Sequence, residues 1–324
     1  MVYRMYETVY TAGRFTRSLR TAEISALPEK ELIINVKYTP INTEDALISH
    51  GRFPQLGVQN YPICPGIDAI GEVVSSKIPN FVPGDEVAVC GGGIGTTAPG
   101  GFGEYISAPA DAVVTLPIGL SMKTAAVFGS AGVTVALSLI VLQNMGITGR
   151  KRIAVTGAST DIGALAASVF SHLGYSVTAV VKDGDSKDFV SQFNIDAAIT
   201  ESEISPSFPL FDGIFDSVGG DVLAALIGRL NNDGIALAAG CYENPVFTAS
   251  LLPFTERGIG IIGVNGMNSD IKTKSEMWQI ISSELVNPYI DWICTEISIE
   301  ELEKYLPLVL SGDLKGRAVI DYNA

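Results

Sequence analysis

From Arg152 onward, short runs rich in β-branched residues alternate with helical patterns, and this alternation restricts the fold more than any other feature of the chain. Residues 153–156, 177–181, 213–215, 235–238 and 259–264 read as strands, and 165–173, 188–193 and 222–230 as helices. Strands that are each followed by a helix must run parallel, with right-handed crossovers, which predicts a doubly wound sheet. The first third reads differently. The alternating segment 32–38, then 69–74, 86–89 and 104–106, are separated by turns such as Pro83-Gly84-Asp85 and predict a compact β-rich domain. At Ser121-Met122-Lys123-Thr124 an Ala-rich stretch opens, and 131–143 is apolar enough to be a buried helix, so the boundary is placed there. The helical segment 299–310 and the run 317–321 are expected to return to the first domain. The predicted class is α/β, with 1–121 and 269–324 forming the β-rich domain and 122–268 the doubly wound one.

Charge and cysteine usage remove several classes of function. The 324 residues carry 21 Lys and Arg against 35 Asp and Glu, a net charge of −14, with no basic stripe to follow a phosphate backbone. Nucleic acid is not an expected partner. Cys64, Cys90, Cys241 and Cys294 lie far apart, with no Cys-x-x-Cys pair and no His at ligand spacing, so free thiols in a reducing cytoplasm are expected and a metal is not. The first ten residues do not read as a secretory signal. The longest apolar stretch, 131–142, falls short of the roughly 20 residues that span a bilayer, so no membrane is expected.

The segment Ile153-Ala154-Val155-Thr156-Gly157-Ala158-Ser159-Thr160-Asp161-Ile162-Gly163 carries the clearest chemistry. A strand, a small-residue turn and a helix N-terminus leave backbone N–H groups unpaired at the positive end of a dipole, a site suited to a dinucleotide pyrophosphate. Thr160 and Asp161 crowd that turn and place a carboxylate near the pyrophosphate, so weak cofactor binding is expected; on an alternative reading Asp161 is the N-cap of the helix, its own carboxylate occupying the anion site. Just after the second strand, Lys182 offers a cation for a 2′-phosphate and Asp183 an acid for ribose hydroxyls.

The order of further landmarks resembles the medium-chain dehydrogenase/reductases, in particular the zinc-free quinone oxidoreductase group and its acrylyl-CoA reductase branch. These landmarks are Asn42 to Asp45, Pro65-Gly66-Ile67-Asp68-Ala69-Ile70-Gly71, Pro83-Gly84-Asp85-Glu86-Val87, Gly100-Gly101-Phe102-Gly103-Glu104, Gly129-Ser130-Ala131-Gly132-Val133-Thr134, Asp216-Ser217-Val218-Gly219-Gly220, Leu252-Pro253-Phe254, Gly263-Val264-Asn265 and Gly316-Arg317. The resemblance implies a GroES-like β-rich domain, a Rossmann domain, a cleft between them in which NADPH delivers hydride to an activated C=C bond, and a homodimer. NADH is the alternative cofactor, and a small molecule is the substrate. It places Asn42 and Asp45 at the chemistry. It places the cofactor against Thr43, Thr134, Gly157, Ser159, Thr160, Asp161, Ile162, Gly163, Lys182, Asp183, Gly240 and Asn265. The zinc ligands of related enzymes are replaced by Asn42 and by Gly66-Ile67-Asp68, and the branch's Tyr and Lys by Thr43 and Glu44.

Several residues keep two readings. Phe53 stands near the place where related enoyl reductases carry a proton-donating Tyr. The run Gly91-Gly92-Gly93-Ile94-Gly95 leaves room for a ligand or forms a flexible turn. Cys90 is a small core residue or a thiol, and Asn42 and Asp45 are functional or ordinary turn chemistry. His50 reads as a solvated loop residue, His172 as structural and Tyr61 as packing. The expected function is reduction of quinones or α,β-unsaturated carbonyl compounds. The alternative, motivated by the altered fingerprint, is a catalytically weakened dinucleotide- or small-molecule-binding sensor.

Overall fold

The computed structural model describes residues 1–52, 61–240 and 244–323; Phe53 and Cys241, singled out above, lie outside them. The chain forms two compact units, one of Met1–Ser130, Met267–Ser282 and Cys294–Ala324, the other of Ala131–Gly266 and Ser283–Ile293.

The first unit opens with an antiparallel hairpin, β1 (Val2–Thr11) and β2 (Arg14–Glu23). Ala12 and Gly13 join the strands with φ of +53° and +81°, the left-handed pair that suits the twist of a two-residue hairpin loop. It continues through β3 (Leu32–Pro40), α1 (Thr43–Ser49), β4 (Asp68–Ser76), β5 (Glu86–Cys90), β6 (Tyr105–Ala108) and β7 (Val113–Thr115). The helix α2 (Met122–Asn144) carries the chain onward and is broken at Gly129, whose φ of 49° and ψ of −149° are not helical. This 23-residue helix is longer than the apolar stretch that marks it in the sequence, and by length and composition it would cross a bilayer. Burial of 83% of its most apolar window makes it a core helix.

In the second unit, β8 (Arg152–Thr156), α3 (Asp161–His172), β9 (Ser176–Val181), α4 (Gly184–Val190), β10 (Ala197–Thr200), β11 (Phe211–Asp216), α5 (Gly220–Ile227), β12 (Leu230–Ala238), α6 (Leu252–Arg257) and β13 (Gly260–Gly263) follow one another. The strands are parallel throughout and ordered β10-β9-β8-β11-β12-β13, which makes the predicted doubly wound sheet. The helices begin earlier than the periodicity places them: Asp183 caps α4 at Gly184, and Gly219 with Gly220, at φ of +75° and +53°, starts α5.

The remaining elements are α7 (Ile271–Ile280), α8 (Ile290–Ile293), β14 (Cys294–Ile297), α9 (Leu302–Ser311) and β15 (Arg317–Asp321). The larger sheet of the first unit runs β14-β15-β3-β4-β5-β7, with β6 also on β3. Alternate residues Leu32, Ile34 and Val36 of β3 are buried with Val87, Val89, Ile106 and Val113, which accounts for the period-two pattern that marks these strands.

Candidate active site

In the second unit the predicted cofactor residues gather at the carboxyl ends of the parallel strands, where open α/β sheets bind ligands. Gly157, at φ +59°, turns the chain from β8 towards α3. Gly163 lies against that turn: a Cβ there would be 2.2 Å from the Gly157 carbonyl oxygen, so only glycine fits. Thr160 holds the extended backbone of an N-cap, φ −133° and ψ 146°, while its N–H donates to the Gly157 carbonyl at 3.0 Å. The reading in which Asp161 caps α3 is therefore corrected. Asp161 is the first helical residue and sits at φ +41°, a left-handed conformation that an N-cap does not take. Ser159 is buried, and Ile162 is half-buried.

The loop after β11 braces this turn. Thr156 Oγ1 donates to the buried Asp216 carboxylate at 2.6 Å, Gly219 N–H donates to its other oxygen at 3.0 Å, and Ser217 Oγ donates to the Thr156 carbonyl at 2.9 Å. A Cβ on Gly157 would come within 2.7 Å of Ser217 Oγ. Ser217 and Asp216 belong to a motif quoted above, but nothing local in the sequence shows that they face residue 157.

Beyond β9, Lys182 is exposed, and Asp183 Oδ1 accepts from Ser186 N–H at 2.9 Å and Ser186 Oγ at 2.6 Å. The acid that matched the ribose-binding position is thus occupied in capping α4. Gly240 and Asn265 are exposed beyond β12 and β13. Gly266 N–H donates to Thr134 Oγ1 at 3.1 Å, which brings the segment after β13 to the helix that carries Thr134. An anion cradle at which no side chain fits at 163, a helix N-terminus and an adjacent exposed lysine match the pyrophosphate and phosphorylated ribose of a dinucleotide.

Asn42 and Asp45 lie in the first unit, together with Thr43, the first residue of α1. They belong to a buried polar network. Asp45 Oδ1 accepts from Gly66 and Ile67 N–H at 3.1 and 2.8 Å, and Oδ2 from the N–H and side-chain amide of Asn42 at 2.9 and 3.1 Å. The same Asn42 amide nitrogen donates to Asp68 Oδ2 at 3.0 Å, while Asn42 Oδ1 accepts from Arg317 at 2.8 Å. Ser130 N–H and Oγ close the cluster on Asp68 at 3.1 and 2.8 Å. Burial pushes the Asp45 carboxyl up to about 7; the Asn42 and Ile67 N–H groups pull it down, and the neighbouring Asp68 adds to the rise. Asn42 thus links two carboxylates to a guanidinium, a partition that separations of 26 and 275 residues hide from the sequence.

At the end of β5, Cys90 is buried and its thiol is pushed well above the usual range by burial and by the Asp68 carboxylate. Lys274 of α7, which the sequence reading passed over, is also buried and donates to the Cys90 carbonyl at 2.8 Å. Its signal was its spacing: Lys274, Met277 and Trp278 share one buried helical face. His50 is half-buried with Nδ1 2.8 Å from the Ala46 carbonyl oxygen, His172 is exposed, and the Tyr61 hydroxyl donates to the Ile48 carbonyl at 2.8 Å. Among the described residues no three His, Cys, Asp or Glu side chains converge to hold a metal ion.

A 3-2-1-4-5-6 parallel sheet with its loops gathered at one end, in a chain whose other unit is β-rich, defines a dinucleotide-binding α/β protein of two units. Comparison with known proteins sharpens this. Residues 28–118 match the alcohol dehydrogenase GroES-like domain. The chain is 32% identical over 310 residues to YhfP of Bacillus subtilis (strain 168), assigned as a quinone oxidoreductase, covering 93% of each chain. The crystal structure of B. subtilis yhfP with NAD bound superposes with a TM-score of 0.93, at 30% identity and 99% coverage of each chain. The acrylyl-CoA reductase AcuI of Ruegeria pomeroyi is 28% identical over 97% of this chain and 96% of its own. The yhdH oxidoreductase of Salmonella enterica in complex with NADP gives a TM-score of 0.92 at 28% identity, over 98% of this chain and 99% of its own. The chain belongs to the medium-chain dehydrogenase/reductase family, in its quinone oxidoreductase group.

Proposed function

We propose that this chain is a zinc-independent, NADPH-dependent reductase of quinones or α,β-unsaturated carbonyl compounds, enoyl thioesters among them, with NADH as a weaker cofactor. The observation that carries the reading is the Gly157–Gly163 cradle, closed to any side chain at 163 and followed at the next strand end by an exposed Lys182. The relatives above, named as oxidoreductases or reductases and solved with NADP or NAD, support it. When bound, the nicotinamide supplies a hydride. The turn at Gly157 to Gly163 holds the pyrophosphate, with Ser159, Thr160, Asp161 and Ile162 lining it. Lys182 offers its charge to the 2′-phosphate. Thr134, Gly240 and Asn265 are assigned to the nicotinamide side, with Thr43 at its edge. Asn42 and Asp45 hold the substrate side through their network with Asp68 and Arg317.

In this reading residues 1–121 and 269–324 provide the substrate domain and 122–268 the cofactor domain. The protein works in the cytoplasm on small molecules, without nucleic-acid or membrane partners. It assembles as a homodimer, for which β13 supplies an edge: Ile261 and Ile262 are 38% and 39% exposed on a strand that, among the described residues, pairs on one side only. The direct test follows loss of NADPH absorbance with quinones, enones and acrylyl-CoA. Turnover supports the reductase. Cofactor binding with no turnover on any of them supports the sensor reading, which the left-handed Asp161 in the phosphate turn favours.

A further inference from the structure

We propose that the first unit carries a further ligand site, a cavity beside β1 that takes a small primary ammonium compound with an apolar body. The cavity measures about 400 Å³, within the range of small-molecule sites, and every residue that lines it belongs to this unit. It shares no residue with the phosphate turn or with the Asn42 network, and the inference does not rest on the reductase reading. Alternate residues of β1, Tyr3, Met5 and Glu7, form one wall, while Ile63 and Cys64 ahead of β4 and the turn 96–99 contribute the rest. Backbone bonds tie β1 down: Thr8 exchanges N–H···O bonds of 2.8 and 2.9 Å with Ile63, and Tyr6 N–H donates to the Phe102 carbonyl at 2.8 Å. The cavity is thus formed before a ligand arrives, which removes an ordering cost from binding.

The polar groups that this wall leaves unspent are mostly acceptors. Glu7 is the one charged residue among the described residues that line it, and its carboxylate makes no hydrogen bond to them; its ion partner is the exposed Arg20 at 3.7 Å, too far for a hydrogen bond. Thr96 and Thr97 Oγ1 both donate to the Gly93 carbonyl, at 3.1 and 3.3 Å, and keep their lone pairs. Part of the glycine run left open by the sequence is explained here, since a Cβ on Gly93, at φ +83°, would meet Thr97 Oγ1 at 2.4 Å. The Cys64 thiol donates to the Gly100 carbonyl at 3.5 Å and, pushed up to about 12 by burial, stays neutral. Tyr3 is 4% exposed, yet its hydroxyl has no hydrogen-bond partner among the described residues. Burial, and then Cys64, pushes that hydroxyl up to about 12, so it keeps its proton. A buried hydroxyl without a partner costs stability that a ligand in the cavity recovers. An ammonium brings three donors and no acceptor, the complement of the Glu7 carboxylate and the hydroxyl oxygens, while Met5 and Ile63 pack an apolar body. A net charge of −14 draws cations to the chain and repels a carboxylate ligand.

The test titrates phenethylamine, phenethyl alcohol and phenylpropionate, one phenyl body bearing in turn a cation, a neutral group and an anion, into wild type, Glu7→Gln, Tyr3→Phe and Arg20→Gln by calorimetry. Wild type should bind the amine saturably, the alcohol about tenfold more weakly and the acid not measurably. Glu7→Gln should lower the amine affinity about tenfold and Tyr3→Phe about threefold. Arg20→Gln should raise it about twofold, because a competing cation has gone. Thermal melting of Glu7→Gln and Arg20→Gln should match wild type, which separates a lost contact from a damaged fold. Equal binding of the three probes, no saturable binding of the amine, or an amine affinity unmoved by Glu7→Gln would overturn the proposal. If Glu7→Gln melts lower, Arg20→Gln decides, and an amine affinity that does not rise there overturns it.

Discussion

Gly163 packs so closely on Gly157 that a methyl group at 163 would lie 2.2 Å from the Gly157 carbonyl oxygen and 2.8 Å from that of Thr156. Backbone on both sides cannot yield as a flexible side chain would. Gly163→Ala is expected to destabilise the protein by about 2 kcal/mol or more, the range of overpacked cores, and to abolish measurable NADPH binding. Thermal melts and calorimetric titration check both; a variant that melts and binds like wild type would show that the turn relaxes freely.

Asp161 sets two small effects against each other. An acidic residue in the first helical turn gains about 0.5 kcal/mol from the helix dipole, whereas a left-handed backbone costs a non-glycine residue roughly 1–2 kcal/mol. Strain wins. Asp161→Gly is expected to raise the melting temperature and to tighten NADPH binding several-fold, because a negative charge leaves the phosphate turn. An Asp161 that capped the helix would instead lose stability on this substitution, and a lower melting temperature would favour that arrangement.

Cofactor choice should follow Lys182 rather than Asp183. With its carboxylate engaged by Ser186, Asp183 is expected to act on stability: Asp183→Ala costs about 1 kcal/mol through the lost cap and leaves the NADPH to NADH affinity ratio nearly unchanged. Lys182→Ala is expected to lower that ratio by about tenfold, equivalent to roughly 1.4 kcal/mol, with no change in melting. Titrations with both cofactors separate the two residues.

Asp45 gives stability a definite pH dependence. Its carboxyl is raised from an ordinary value of 3.8 to about 7, so between those limits the folded protein holds a proton that the unfolded chain has lost. This contribution is fully present below the ordinary value and declines as pH rises through about 7. Urea midpoints measured across that window should contain a falling component that disappears in Asp45→Asn. That variant should also be less stable throughout, since its amide nitrogen would face N–H donors. A component that survives the substitution would assign the titration elsewhere.

If β13 is the dimer edge, Ile262→Lys places a charge on a strand that must pair in register with its copy. The variant is expected to elute as a monomer with its fold intact. An unchanged dimer would place the interface elsewhere.

What could be read from the sequence depended on how local each signal was. Most strands of both sheets announced themselves because alternation, or a short apolar run between turns, is written within five to ten residues, as in β15 at Arg317–Asp321, whereas β7, β10 and β14, of three or four residues each, carry too little pattern to be read. Helix starts were less legible, since Thr160 and Asp161 are both acceptable N-caps and only backbone angles separate them. The fingerprint was visible as a motif, but its brace by Ser217 crosses 61 residues. Lys274 was missed because a lysine in a polar helix reads as solvated unless its phase with Met277 and Trp278 is counted.

The bond from Arg317 to Asn42 spans 275 residues and stands in a sheet where β15 lies beside β3. During synthesis, the doubly wound unit can assemble from its largely contiguous segment while the β-rich unit still lacks β14, β15 and the guanidinium that balances its two buried carboxylates. The β-rich unit is therefore the last to mature, and until residue 317 has emerged a half-built sheet with an open β3 edge is the part of the nascent chain most in need of protection.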